Sequence, residues 1–416
     1  MTPRVYRAAP AATPVRQESL RAHNLTLVFH QIVATRGTPI SRIELATGTG
    51  LTRPTISRIV EDLLAGGLIA EAGPDRTRGA GRPRVGLQLA RTGPAGLGLD
   101  IRSDSLAACV VDLTGTVRHL RFAPCTRRGR SPDKTLDGLA EMAREAVQAA
   151  AAEDLTVVGA TLAVPGPVED GSVVRLAASL GWRDIDAGAA LRAAIGSADL
   201  PVRVDNDASL AALGELYASD QELRDFVCIS GEFDLGAGIV HDGTPLRGAR
   251  GWSGALGHIM VDAEGEPCDC GARGCLQRYA GLEAILAAVP EAERDMGTVA
   301  PQTPAVTIDA LASAGSPRIL AALDRAATAL GATISTLINI VDIDTVLLGG
   351  SYSLLASWLS GTIEAEIRQR VPTTGWAPVE VRPAPLGPDA AVIGAALTAV
   401  DEVRRDPASW LRRVVP

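Results

Sequence analysis

Long uninterrupted apolar runs are missing from this chain of 416 residues, because Asp, Arg or Gly breaks each hydrophobic segment before it reaches spanning length. That argues against a membrane helix. Residues 1–18 hold Pro3, Pro10 and Pro14 and no apolar run, so they read as neither signal peptide nor anchor, and we expect a flexible arm. Cysteine is scarce as well. Six cysteines in so long a chain do not build a secreted disulfide framework, and three of them fall in one short cluster. A reducing, cytoplasmic setting fits. Cys109, Cys125 and Cys228 are scattered and are expected as small core or near-surface residues.

What is present is ordinary in bulk and uneven in distribution. Hydrophobic residues make up 46% and charged residues 21%, as in folded proteins, and the length suggests two or three domains. The net charge of −8 conceals a basic start: residues 1–90 carry twelve Arg against six Asp and Glu, +6, which leaves −14 for the rest. The basic end is the nucleic-acid candidate.

Leu25, Val28, Phe29, Ile32 and Val33 follow the rhythm of a helix with one buried stripe, ending at Gly37. Ser41 and Glu44 have capping-box spacing, so a second helix starts there and ends near Gly48 and Gly50. Thr52 caps a third, Pro54 is tolerated in its first turn, and Ile56, Ile59, Val60, Leu63 and Leu64 form its inner side. Arg53, Thr55, Ser57 and Arg58 are left outside. Strands at 68–73 and 85–90 then flank a Gly/Pro/Arg-rich link. This is the pattern of a winged helix-turn-helix, with the third helix entering a major groove and Arg82 and Arg84 on a wing suited to the minor groove of A·T-rich DNA.

After Gly93 the pattern changes to strands and helices in two successive rounds. Between them His258 and Cys268-Asp269-Cys270-Gly271-Ala272-Arg273-Gly274-Cys275 place one imidazole and three thiols at the spacing of a closed, tetrahedral, structural zinc site. The glycines at 271 and 274 shape a knuckle.

The order of Asp100, Ala163-Val164-Pro165-Gly166-Pro167, Leu180-Gly181-Trp182, Val204-Asp205-Asn206-Asp207-Ala208, Gly257-His258, the cysteine cluster and Leu348-Gly349-Gly350 resembles the ROK family of repressors, uncharacterised reading frames and sugar kinases. With its head, the chain resembles the regulator branch that includes xylose- and N-acetylglucosamine-responsive repressors. The resemblance implies an α/β, two-lobed, actin-like (RNase H-like) body with a sugar cleft between lobes. We expect a helix-turn-helix domain over 19–93, a first lobe over 94–210 with a helix 389–416 packing back on it, and a second lobe with the zinc loop over 211–388.

Several departures bear on activity. Where the kinases carry Asp-x-Gly-Gly-Thr this chain has Asp100-Ile101-Arg102-Ser103-Asp104, and the second phosphate loop reads Gly231-Glu232-Phe233-Asp234-Leu235-Gly236. A carboxylate about 4 Å from a phosphate charge costs roughly 4 kcal/mol at an effective dielectric near 20. ATP chemistry is therefore not expected, and Asp207, which matches the kinase base, is vestigial. It either meets sugar hydroxyls with Asn206 or caps the helix starting at Ala208. The family's two sugar-holding glutamates are Ala255 and Gln277 here, and Ser179 stands where Asn is common. With Asn206, Asp207, His258 and Gln277 as ligand candidates, the expectation is a cytoplasmic, homodimeric or homotetrameric repressor that binds a pseudo-palindromic double-stranded operator and senses a sugar or a derivative. A kinase with an accessory head and a ligand-independent DNA binder are the alternatives.

Overall fold

A computed structural model describes residues 17–72, 85–125, 131–197, 199–219, 222–231, 234–294 and 303–414. Its contacts divide the chain into two units, Met1–Ala90 with Glu402–Pro416, and Arg91–Asp401.

The first unit holds α1 (Gln17–Val33), α2 (Arg42–Thr49), α3 (Arg53–Ala65), β1 (Ile69–Ala72) and β2 (Gly86–Leu89). Local chemistry sets its boundaries. The Ser41 side chain accepts from the Glu44 amide while Glu44 accepts from the Ser41 amide at 2.8 Å, completing the capping box, and Gly50 closes α2 in the left-handed region at φ 72°. Thr52 caps α3, which buries Ile56, Ile59, Val60 and Leu63. The strands pair antiparallel, Ile69 opposite Leu89, and Ile40 bridges to Leu87. They are one residue shorter at each end than the sequence suggested. Gln17 and Glu18, expected in the arm, belong to α1, and residues 1–16 lie outside the described residues. The link carrying Arg82 and Arg84 lies outside the described residues.

The second unit begins with β3 (Gly93–Ile101), β4 (Ser105–Asp112), β5 (Val117–Pro124), α4 (Pro132–Ala151) and β6 (Leu155–Val164). A small sheet follows, β7 (Val168–Glu169), β8 (Val173–Ala177) and β9 (Trp182–Asp186), then α5 (Ala187–Ile195), β10 (Val202–Asn206) and α6 (Asp207–Ala218). The main sheet runs β10-β6-β3-β4-β5, with β10, β6 and β3 parallel. Its second round uses β11 (Phe226–Ser230), β12 (Gly236–His241) and β13 (Thr244–Pro245), and the helices α7 (Gln277–Ala280), α8 (Leu282–Leu286), α9 (Glu291–Arg294), α10 (Pro304–Ser313) and α11 (Pro317–Val341). It closes with β14 (Thr345–Leu348), α12 (Ala356–Arg370) and β15 (Glu380–Pro383), giving the order β13-β12-β11-β14-β15. Each round thus builds a five-stranded sheet with its own aliphatic core.

The last helices are α13 (Ala390–Arg405) and α14 (Pro407–Val414). Gly96, Gly98, Gly214 and Gly394 let α13 lie directly on β3 and α6, since a Cβ at any of them would strike a facing carbonyl. The expectation that 389–416 as a whole packs on the first lobe needs correction. Residues Glu402–Pro416 group with the helical head, where Trp410 Nε1 donates to the Gly66 carbonyl at 2.8 Å and Leu411 fills the space a side chain at Gly66 would take.

Candidate nucleic-acid interface, ligand cleft and metal cluster

On α3, Arg53 and Arg58 are exposed and Thr55 and Ser57 half-buried. The Thr55 hydroxyl lies 2.8 Å from that of Thr52, so part of its capacity is used at the cap. Both guanidinium groups stand clear of the helix's apolar stripe, which is what contact with a polyanion requires.

The candidate ligand cleft is a cavity of about 300 Å³. Asn206 and Asp207, at the junction of β10 and α6, reach it together with His258 and Asp234. Asn206 rather than Asp207 is the cap: its Oδ1 accepts from the Ser209 amide at 3.0 Å, and its Nδ2 donates to the Gly166 carbonyl at 3.2 Å. Asp207 opens the helix, with Oδ1 accepting from the Ala208 amide at 2.8 Å. Gln277 does not line the cavity. Its Oε1 accepts from the Leu235 amide at 2.6 Å, so it splints the loop that carries Asp234. Trp252, Ala255 and Asp234 are lining residues that were not among the sequence candidates. Ser179 Oγ donates to Asp234 Oδ2 at 2.9 Å, a pairing across 55 residues that no local pattern announces.

The turn over residues 100–104, expected from the sequence as the counterpart of the kinases' first phosphate loop, is organised differently from the expectation of repelling acids. Arg102 donates from Nε to Asp100 Oδ2 at 3.2 Å and from a terminal nitrogen to Asp389 Oδ1 at 2.8 Å, and its guanidinium sits 4.7 Å from the centroid of the Phe122 ring. The Arg102 and Asp100 side chains are only 9% and 6% exposed. Asp104 is exposed instead and takes a hydrogen bond from Ser105 Oγ. The turn is closed by a buried ion pair rather than left open with a bare acid. Of the second loop, Glu232 and Phe233 fall outside the described residues.

The metal candidates converge. His258, Cys268, Cys270 and Cys275 place one donor atom each within 4.8 Å of one another, with Cys268 Sγ 3.8 Å from His258 Nδ1 and Cys270 Sγ 3.7 Å from Cys275 Sγ. Zinc with bonds of about 2.0–2.3 Å needs tetrahedral edges of roughly 3.3–3.8 Å; these two separations match that, and a set of three thiols and one imidazole is the donor chemistry zinc takes, since soft thiolates select against hard cations. The cysteines are free thiols. Desolvation pushes Cys275 up to about 12, whereas at Cys270 the same desolvation is outweighed by the Ala272 amide and the neighbouring thiols, which lower it. Gly271 (φ 96°) and Gly274 (φ 62°) make the knuckle possible, and a Cβ at Gly274 would strike the Asp262 carbonyl. Cys109, Cys125 and Cys228 are buried, as expected, and burial raises the Cys109 thiol to about 12.

Two repeated five-stranded sheets, a cleft lined by carboxylates and apolar groups, and a four-donor knuckle define the actin-like body of a sugar-kinase-like protein. The family model described as ROK matches residues 96–402, and the chain belongs to that family. It is 26% identical to the xylose repressor of Bacillus subtilis (strain 168) over 92% of this chain and 97% of the relative. A solved ROK family transcriptional regulator, a homologue of the E. coli MLC protein, is 28% identical with a TM-score of 0.75, covering 94% and 99% of the two chains. A ROK glucokinase from Streptomyces griseus, solved with glucose and AMPPNP, is 27% identical with a TM-score of 0.61, but covers only 74% of this chain and 99% of its own. The repressor and the regulator thus match the helical head as well as the body.

Proposed function

We propose that the protein is a DNA-binding transcriptional repressor whose degenerate sugar-kinase-like body senses a sugar or sugar derivative. One observation carries this reading: a capped three-helix head with Arg53 and Arg58 exposed on α3 shares a chain with a ROK body whose first phosphate turn is closed by Arg102, Asp100 and Asp389. Arg53, Thr55, Ser57 and Arg58 read the major groove, and Arg82 and Arg84 reach the minor groove. Paired heads of a homodimer or homotetramer bind a pseudo-palindromic operator in the cytoplasm, and ligand at Asn206 and Asp207 changes the population of operator-competent states. Gln277 serves the cleft by holding its loop. His258, Cys268, Cys270 and Cys275 hold a structural zinc ion that fixes the loop bearing His258, and with four protein donors it offers no open position for Lewis-acid chemistry.

A sugar kinase with an accessory head is the competing reading, since relatives named as kinases match the body. The two separate in one experiment on the full chain. Operator fragments selected from genomic DNA are tested by gel shift, and the same preparation is assayed for ADP release with hexoses and amino sugars. We expect retarded complexes and no turnover. Turnover at ordinary kinase rates, about 1–100 per second, contradicts the proposal.

A further inference from the structure

We infer that the cleft accepts a sugar that donates hydrogen bonds, favours one carrying a protonated amine, and rejects phosphorylated or acidic sugars, with Asp234 as the discriminating residue. This rests on the effector reading above.

Most of the cavity's side-chain donors are already spent on the protein. Asn206 Nδ2 serves Gly166 and Asp207, Trp252 Nε1 donates to the Val168 carbonyl at 2.8 Å, and Ser253 Oγ donates to the Leu246 carbonyl. His258 Nδ1 and Cys270 face the metal cluster, which leaves His258 Nε2 as a side-chain donor. Beside it stand acceptor capacity and negative charge, from Asp207 and Asp234. Among the described residues no Lys or Arg lines the cavity. Arg247 pairs with Asp205, and Arg250 stacks on the Trp252 ring at 5.6 Å.

A ligand filling about 300 Å³ of such space is favoured when it donates to these two carboxylates. Hydroxyls do so and an ammonium does so with charge, whereas a phosphate or carboxylate brings acceptors to acceptors and like charge to two carboxylates. Among the described residues Ser179 is the one donor to Asp234, and it engages Oδ2. Oδ1 is thus available to a ligand among the described residues, and Trp252 lines the same cavity. An amine is the donor for which Asp234 gains most.

The test is calorimetric titration of the full-length protein with matched sets built on glucose, mannose and galactose: parent sugar, 2-amino sugar, 6-phosphate and uronic acid, at fixed ionic strength. For the set that binds, we expect the amino sugar at least as tight as its parent, and the 6-phosphate and uronic acid weaker by tenfold or more. Asp234→Asn is expected to erase about tenfold of the amine preference, the size of one charge-assisted hydrogen bond. It should also bring the 6-phosphate within about threefold of the parent, while Asp234→Glu retains the wild-type ranking. Ser179→Ala, which keeps the carboxylate and removes its internal donor, should strengthen amine binding, and it stands in if Asp234→Asn does not fold. A 6-phosphate that binds the wild type as well as its parent, or a ranking unmoved by Asp234→Asn, overturns the inference and leaves the effector reading intact. No binding by any set, with operator binding preserved, overturns both.

Discussion

The knuckle over residues 268–275 and the turn over residues 100–104 solve opposite problems. The knuckle keeps backbone freedom: Gly271 and Gly274 hold positive φ so that four donors can face one point. The turn has no glycine, and a guanidinium between two carboxylates occupies it. At the candidate metal cluster the chain preserves conformation, and at the turn over residues 100–104 it substitutes charge. Under the proposed function, that difference separates a body that positions a cleft from one that transfers phosphate.

The largest effect is expected at the knuckle. Removing zinc with a chelator, or Cys275→Ser, should lower the unfolding free energy of the body on the order of 5 kcal/mol or more, read by denaturant titration, because metal binding is folding energy there. Equal stability with and without metal breaks the comparison on its first side. Next comes Arg102→Ala, which leaves Asp100 buried without its charge partner and should cost about 3–5 kcal/mol in the same titration. A neutral outcome means the turn is not held by this pair.

A third test concerns Glu215 on α6, whose residue is 1% exposed and whose Oε1 accepts from the Leu386 amide at 3.0 Å while Oε2 is buried without a hydrogen-bond partner among the described residues. Desolvation raises its carboxyl to about 7, against opposing effects of the Leu386 and Gly387 amides and Arg382. A raised folded value means its stabilisation is complete below about pH 4.5 and is lost as pH climbs through 7, a change on the order of 3 kcal/mol. Thermal unfolding of Glu215→Gln should lack this decline between pH 5 and 8. The loop it supports leads to Asp389, so the result sharpens how firmly the turn's second carboxylate is fixed. Smallest, and confined to the head, is Arg58→Ala. It should weaken operator binding by about 1–3 kcal/mol and relax preference at one base pair, measured by gel shift against a substituted operator set.

Much of this architecture is legible without coordinates where the determinant is local. Ser41 with Glu44, Thr52 with Pro54, and the C-x-C-x4-C spacing each lie within a few residues of their partners, so caps and donor cluster can be read directly. Long-range pairings are not readable that way. Arg102 meets Asp389 across 287 positions, and Trp410 meets Gly66 across 344, which is why the turn reads as acidic and the C-terminal segment as part of the lobe. The sheet of β7, β8 and β9 is missed for another reason: its strands of two to five residues are too short for an alternation to register. Gln277 keeps a residue type suited to binding but spends its acceptor on Leu235.

The central claim, that the chain is a DNA reader governed by a retired phosphotransferase body, is tested most directly by a salt titration of full-length protein on its operator. Counterion release sets the slope of log K against log salt near −0.9 per phosphate neutralised, so Arg53 and Arg58 from two heads predict roughly −3.6 or steeper. A slope near zero contradicts the account.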